Sequence, residues 1–253
     1  MKGPAGALYV DDGGEGGLPV VFVHSSAGST KHWAAQLSHL RQTRRALALD
    51  LRGHGQSQVP SEGSISVEDF AADVAAVVEG LKLERFVLVG HSLGGAVCAA
   101  YAAAHPSRVA GLLLLDPASD GRMIPEEQAQ GLMAVLGTEA WLQVVEEYWA
   151  PMLAPSRPEV REQVLGGLKA TAQVAVRSGL GSLLTFDPVS ALRRYPGPKL
   201  SVVTAFNEGP DAYQVRAPEL PFKKVEPVTG HWVQLDAPQW VNGVLDAFLA
   251  PLR

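Results

Sequence analysis

Short, nearly unbroken apolar runs alternate along the chain with longer segments whose apolar residues recur at helical spacing. The runs are Val20 to His24, Ala46 to Asp50, Phe86 to Gly90, Val109 to Leu115, Leu200 to Thr204 and Val225 to Val228. Continuous rather than alternating runs predict strands buried on both faces, in a mostly parallel sheet covered by helices. Ser66 to Leu81 opens with a Ser-x-x-Asp cap from Ser66 and Asp69. It then sets Phe70, Val74, Val77, Val78 and Leu81 on one stripe, which predicts an amphipathic helix. Ser92 to His105 is rich in alanine, with Gly94 and Gly95 near its start, and predicts a central helix lying close against the sheet.

Between Asp120 and Tyr195 the pattern changes. No strand signal appears there, and Pro151, Pro155, Pro158 and Pro188 punctuate helical pieces. Trp141, Val144, Val145, Tyr148 and Trp149 share one face, and Val160, Val164 and Leu168 another. The expected architecture is α/β, with an inserted helical cap at 120–195 between two strands of one core formed by 1–119 and 196–253. Met133, Trp141, Trp149 and Met152 are expected in the interior of the cap, some of them doubling as pocket wall.

Composition narrows the functional classes. With 253 residues, 47% of them hydrophobic and 19% charged, a disordered or fibrous chain is excluded. Lys and Arg number 21 against 26 Asp and Glu, and a net charge of −5 offers little to nucleic acid or an anionic membrane. Cys98 is the one cysteine, so the chain cannot build an intrachain disulfide, a thiolate zinc site or an iron–sulfur cluster. It reads as a small core residue in a reducing compartment. Met1 to Gly6 carries one Lys with no apolar run behind it. The longest apolar stretch, around Leu112 to Leu115, is far short of the roughly 18 residues that span a bilayer. The expectation is a soluble cytoplasmic protein, monomer or homodimer, that acts on a small molecule and has no nucleic-acid or membrane partner.

The strongest chemical signal is Gly90-His91-Ser92-Leu93-Gly94-Gly95, where an apolar run meets the alanine-rich helix. This is a G-x-S-x-G nucleophile elbow in its strand–turn–helix setting. The bend is so sharp that the serine backbone must be strained, and side chains at Gly90 and Gly94 would collide with neighbouring strands. Its hydroxyl is then presented beside the positive end of a helix.

A second motif, Asp50-Leu51-Arg52-Gly53-His54-Gly55-Gln56-Ser57, follows an early strand. With these two motifs the chain resembles the α/β-hydrolase family, in its capped, serine esterase or lipase-like form, from Val20 to the C-terminus. The resemblance implies Ser92 as nucleophile. A serine hydroxyl needs a positioned imidazole to take its proton, and the resemblance points to His231, in Thr229-Gly230-His231-Trp232, ahead of a helix near Pro238. His32, His39 and His105 fall within or at the end of helices, and His91 should point away from Ser92. For the acid, the resemblance offers two places. One is the end of the strand before the cap, which is Asp116. The other follows the strand after the cap, where counting from Pro198 leads to Asn207, with Glu208 one step later. Asp211 and Asp187 are further candidates. Asp116 is the expected acid, holding the imidazole in the right tautomer.

Attack on an ester carbonyl creates an oxyanion that needs two backbone donors. The Leu93 amide is one. The loop His24-Ser25-Ser26-Ala27-Gly28-Ser29 resembles the family's H-G-x-x-G-S loop, with Ser25 in place of glycine, and implies the Ser26 amide as the other. The Ser25 hydroxyl is a candidate contact for the same oxygen or for the substrate. Hydroxynitrile lyases of this fold also carry a hydroxyl residue after that histidine. They pair it with a lysine where this chain has Trp232. Arg52 is expected to anchor its own turn.

The activity so implied is that of a serine hydrolase of carboxylic esters or lactones, working through an acyl-enzyme with no cofactor and no metal. Carbon–carbon bond hydrolysis and cofactor-free perhydrolysis use the same triad and stay open, as does a hydrolase-fold ligand sensor with slow turnover. Haloalkane dehalogenases and epoxide hydrolases need a carboxylate at the elbow, where this chain has Ser92.

Overall fold

The structure, a computed structural model, describes residues 1–61 and 65–252; residues 62–64 and 253, part of the expected core, lie outside the described residues. A small hairpin pairs β1 (Lys2–Gly3) with β2 (Gly6–Ala7). The main sheet holds β3 (Val10–Gly13), β4 (Val20–Val23), β5 (Ala46–Leu49), β6 (Phe86–His91), β7 (Val109–Leu115), β8 (Lys199–Val203) and β9 (Phe222–Lys224). Their spatial order is β3-β5-β4-β6-β7-β8-β9, with β3 antiparallel to β5 and every other pairing parallel.

Every residue of β4, β5, β6 and β7 is buried, which is the physical reason their sequences read as unbroken apolar runs. Helices cover both faces. α1 (Ala34–Leu40) packs with α11 (Pro238–Leu249) on one side. α2 (Val67–Gly80) and α3 (Leu93–Ala104) pack together on the other. The Ser66 cap forms as a reciprocal box: Asp69 N donates to Ser66 Oγ at 3.0 Å, and Ser66 N donates to Asp69 Oδ2 at 2.9 Å.

Between β7 and β8 lie α4 (Glu126–Val135), α5 (Trp141–Leu153), α6 (Pro158–Ala170), α7 (Gln173–Leu183) and α8 (Pro188–Arg194). Leu136, Val145, Trp149, Leu153, Val164 and Leu168 form an apolar cluster that also takes in Ala27 and Trp232. In contrast, α8 buries Val189, Ala191 and Leu192 beside α3, within the apolar cluster on that face of the sheet. Pro158 and Pro188 open α6 and α8 at their first turns, where a missing N–H costs nothing, while Pro151 sits inside α5. Two short helices, α9 (Tyr213–Arg216) and α10 (Val233–Asp236), flank the last strand.

The sheet departs from the sequence reading at both ends. The last strand is Phe222–Lys224, not Val225 to Val228. β8 ends at Val203, whose carbonyl takes a 2.9 Å bond from Val225 N, so among the described residues the ladder stops there, and Val228 is 89% exposed. At the other edge, β3 reads Val-Asp-Asp-Gly and is held by pairing with β5 rather than by apolar burial.

Candidate active site

Ser92 links β6 to α3 with φ 54° and ψ −120°, a left-handed conformation that costs a non-glycine residue about 1–3 kcal/mol. The flanking glycines make that bend possible. A Cβ on Gly94 would strike the carbonyl oxygens of Val23 and His24 at the end of β4. A Cβ on Gly90 would strike the Gly94 carbonyl, which belongs to α3 and not to a neighbouring strand as the sequence suggested. The serine is left half-buried on the wall of a cavity, at the N-terminus of α3.

Asp116 directly follows β7 with φ 40° and is fully buried. Its Oδ2 lies 2.5 Å from His231 Nδ1, joining positions 115 residues apart in the chain. Thr204 holds the carboxylate from the other side, its N donating to Oδ1 at 2.8 Å and its Oγ1 to Oδ2 at 2.8 Å. The other candidate acids are engaged elsewhere or lack a bond to His231. Glu208 is half exposed and pairs with Lys224 at 3.0 Å. Asp187 caps α8 through Ser190 N at 3.0 Å and pairs with Arg122 at 2.8 Å. Asp211 lines the cavity but makes no bond to the imidazole.

The loop bearing His231 is tied down at several points that sequence reasoning missed. His231 N donates to Met152 O at 3.1 Å, and Gly230 N donates to Asp236 Oδ2 at 2.9 Å. Ser156 Oγ reaches the same Asp236 oxygen at 2.7 Å, so the loop is fastened to the segment joining α5 and α6. Beneath it His91, fully buried, has Nε2 2.9 Å from the His231 carbonyl and Nδ1 3.1 Å from Gln234 Nε2. Burial drives the His91 imidazole well below its usual range, so it is neutral and carries a single proton.

The 24–29 loop, which also lines the cavity, is ordered by His24. Leu51 N donates to His24 Nε2 at 3.0 Å, which leaves Nδ1 to donate to Ser25 O at 2.7 Å. Burial pushes this imidazole down to about 3, fixing the neutral form. Ala27 adopts φ 52° in the bend, and Gly28 N closes it on Ser25 O at 3.0 Å. Ser25, Ser26 and Leu93 all line the cavity, and the hydroxyls of Ser25 and Ser26 are buried without a partner among the described residues. In the second motif, Asp50 Oδ1 accepts from Thr30 N at 2.6 Å and Oδ2 from Gln56 N at 2.8 Å, which stitches the two turns together. Arg52 binds Asp73 through Nε and Nη2 at 2.7–3.0 Å and so anchors its turn to α2. Cys98 is buried in α3, and burial raises its thiol, as suits a core residue.

The cavity encloses about 290 Å³ and is mostly apolar. α5 contributes Val145, Trp149 and Met152, and α7 contributes Leu180 and Leu183. Trp149 and Met152 therefore serve both the apolar cluster and the wall, whereas Met133 and Trp141 pack against the cluster without lining this cavity. Among the described residues, no group of three or more His, Cys, Asp or Glu is arranged to hold a metal ion, and no helix is long and apolar enough to cross a membrane.

Comparison with known proteins bears on the fold and the family. The chain is 31% identical over 249 residues to the dihydrolipoyllysine-residue acetyltransferase component of the acetoin cleaving system of Pseudomonas putida, covering 94% of this chain and 65% of that protein. It is 38% identical over 149 residues to a non-heme chloroperoxidase of Streptomyces lividans, covering 58% of this chain and 51% of that protein. The chain thus spans between about half and two thirds of the length of these two relatives. Among solved structures, a thermophilic esterase from Thermogutta terrifontis superposes with a TM-score of 0.85 at 27% identity, over 96% of this chain and 93% of that one. Est816, described as an N-acyl homoserine lactone degrading enzyme, superposes with a TM-score of 0.78 at 25% identity, over 95% and 96% of the two chains. A family model described as the alpha/beta hydrolase fold matches residues 19–238, and the chain belongs to that family.

Proposed function

We propose that the protein is a serine hydrolase of carboxylic esters or lactones. The observation that carries this reading is the grouping of Ser92, His231 and Asp116 on one cavity wall, with the 2.5 Å bond between His231 Nδ1 and Asp116 Oδ2. An imidazole bonded to a carboxylate through Nδ1 has Nε2 free to act as a base. His231 takes the Ser92 proton as the hydroxyl oxygen attacks the carbonyl carbon, and the carbonyl π electrons move onto oxygen. The imidazolium then protonates the departing alkoxide, which leaves an acyl-Ser92. Water, activated by the same imidazole, releases the acid and restores the serine.

The oxyanion is received by the amides of Leu93 and Ser26, each worth about 3 kcal/mol by analogy with deletions of such donors. Both residues line the same cavity as Ser92, which supports that role. The unpartnered Ser25 hydroxyl is a further donor to the same oxygen or to the substrate. The helices α4 to α7 act as a cap whose apolar inner side receives the acyl or alcohol chain. The names of the esterase and the lactone-degrading enzyme above agree with this substrate class.

A panel of p-nitrophenyl esters of rising chain length, together with lactones, tests the reading on the wild type and on Ser92→Ala. Turnover by the wild type with loss of essentially all activity in Ser92→Ala is the expected result. Retention of activity by Ser92→Ala overturns it.

A further inference from the structure

The charges around the cavity are uneven. Among the described residues its lining includes two carboxylates, Asp116 and Asp211, and no Lys or Arg. Asp116 is bonded to His231 and Thr204. Asp211 is different: among the described residues its carboxylate oxygens have no hydrogen-bond or ion-pair partner, and the side chain lies on the cavity wall, partly exposed. The arginines close to it in the fold are engaged. Asp120, whose N donates to the Asp211 carbonyl, holds Arg122 at 2.8 Å and Arg216 at 3.6 Å, and Arg122 also binds Asp187 at 2.8 Å. The charge on Asp211 is felt inside the site: the Tyr148 hydroxyl, another wall residue, is raised by partial desolvation and then by Asp211.

From this arrangement we infer that Asp211 is a specificity-determining residue, and that the site selects uncharged esters or lactones against those bearing a carboxylate. The inference rests on the hydrolase reading above and deepens it by naming the substrate class. A unit charge several ångströms away, in a partly screened apolar site, changes the affinity for an anion by roughly tenfold to a hundredfold. A substrate carboxylate entering here meets that repulsion and finds no cation among the lining residues. The lining residues Ile124 and Phe206 are apolar and exposed, and Tyr148 adds an uncharged, partly exposed phenol, so a neutral chain too long for the cavity can leave across them without desolvating a charge. The same charge disfavours carbon–carbon hydrolysis of any diketone that carries a free acid.

The test uses two matched substrate pairs. One is the mono-4-nitrophenyl ester of glutaric acid and the same compound methylated at its free acid, which places the anion on the acyl half. The other is the acetate ester of 3-hydroxy-4-nitrobenzoic acid and its methyl ester, which places it on the leaving group. For at least one pair, the wild type is expected to favour the neutral member by tenfold or more in kcat/KM. Asp211→Asn should lower that ratio about tenfold, and Asp211→Lys should lower it further, whereas Asp246→Asn, the same charge change on α11, should leave it in place. Added salt should compress the wild-type ratio and not that of Asp211→Asn. A wild type indifferent to charge in both pairs, or a ratio untouched by Asp211→Asn, overturns the inference.

Binding of the same intact esters to Ser92→Ala, followed by calorimetry, gives the ratio without turnover. If the wild type turns over neither neutral ester nor any ester or lactone of the panel above, the hydrolase reading falls. The inference is then judged by whether the dissociation constants of a pair differ in Ser92→Ala and converge in Ser92→Ala/Asp211→Asn.

Discussion

His91 Nε2 donates to the backbone carbonyl of His231 at 2.9 Å, bridging 140 positions of sequence. The direction of that bond follows from the surroundings: Gln234 donates to Nδ1, and burial keeps the ring neutral, so its one proton sits on Nε2. His91 thereby links the elbow to the loop that carries the proposed base. In His91→Phe the His231 carbonyl loses its donor and the loop its anchor. We expect kcat to fall by about 10- to 100-fold, since displacements of about 1 Å near reacting groups have such effects. His91→Gln, which keeps a donor, should recover part of the loss. Steady-state kinetics on a p-nitrophenyl ester, alongside circular dichroism to verify folding, checks this.

The acid assignment makes a sharp contrast between two carboxylates. Asp116→Asn removes the charge bonded to His231 Nδ1 and should lower turnover by about 10⁴. Glu208→Gln breaks only an exposed pair with Lys224 and should change turnover by less than about twofold. If the two results are exchanged, the acid has been misassigned.

Much of this site was legible in the sequence because its parts are local. The elbow needs only a strand, two glycines and a helix start within a few residues, and Gly90 and Gly94 explain themselves once the neighbouring carbonyls are seen. Asp116 was legible as the end of an apolar strand. Thr204, Gln234, Asp236 and the role of His91 were not, because each acts through a partner brought close by the fold and none has a short-range pattern. The last strand was misplaced for a related reason: Val225 to Val228 looks like a core strand, yet β8 ends before it and Val228 is 89% exposed. Pairing rather than hydrophobicity sets that edge. The packing of α8 on α3 was equally hidden, since its buried Val189, Ala191 and Leu192 resemble the apolar residues of the helices before it.

Acid should destabilise the fold through its buried imidazoles. Burial lowers His24 and His54 to about 3 and His32 to about 4, from an unperturbed 6.5, and lowers His91 well below that value. As pH falls from about 6.5 towards 4, these groups are protonated in the unfolded chain and neutral in the folded one, so unfolding takes up protons and stability declines. Each contributes at most about 1.4 kcal/mol per pH unit in that window. Asp50 and Asp73, raised chiefly by burial, act in the opposite sense by binding protons earlier when folded. Urea unfolding at a series of pH values should give a positive slope of stability with pH between about 4 and 6.5. His32→Phe should lose up to one proton's worth of that slope.

Two glycine substitutions should have opposite signs. Gly94→Ala drives a methyl into the carbonyls at the end of β4 and is expected to cost about 1–3 kcal/mol, as overpacking does, together with activity. A Cβ on Gly166, inside α6, meets nothing within 4 Å, so Gly166→Ala should gain about 0.5–1 kcal/mol from helix propensity. Thermal unfolding of the two variants reads both effects.

The central claim is that Ser92 is a nucleophile activated by His231. Intact-mass and peptide-mass spectrometry after exposure to a fluorophosphonate measures it most directly. The account predicts one adduct per chain, mapped to Ser92, absent in Ser92→Ala and strongly slowed in His231→Ala. An adduct on another residue, or labelling of Ser92 at the same rate in His231→Ala, would contradict it.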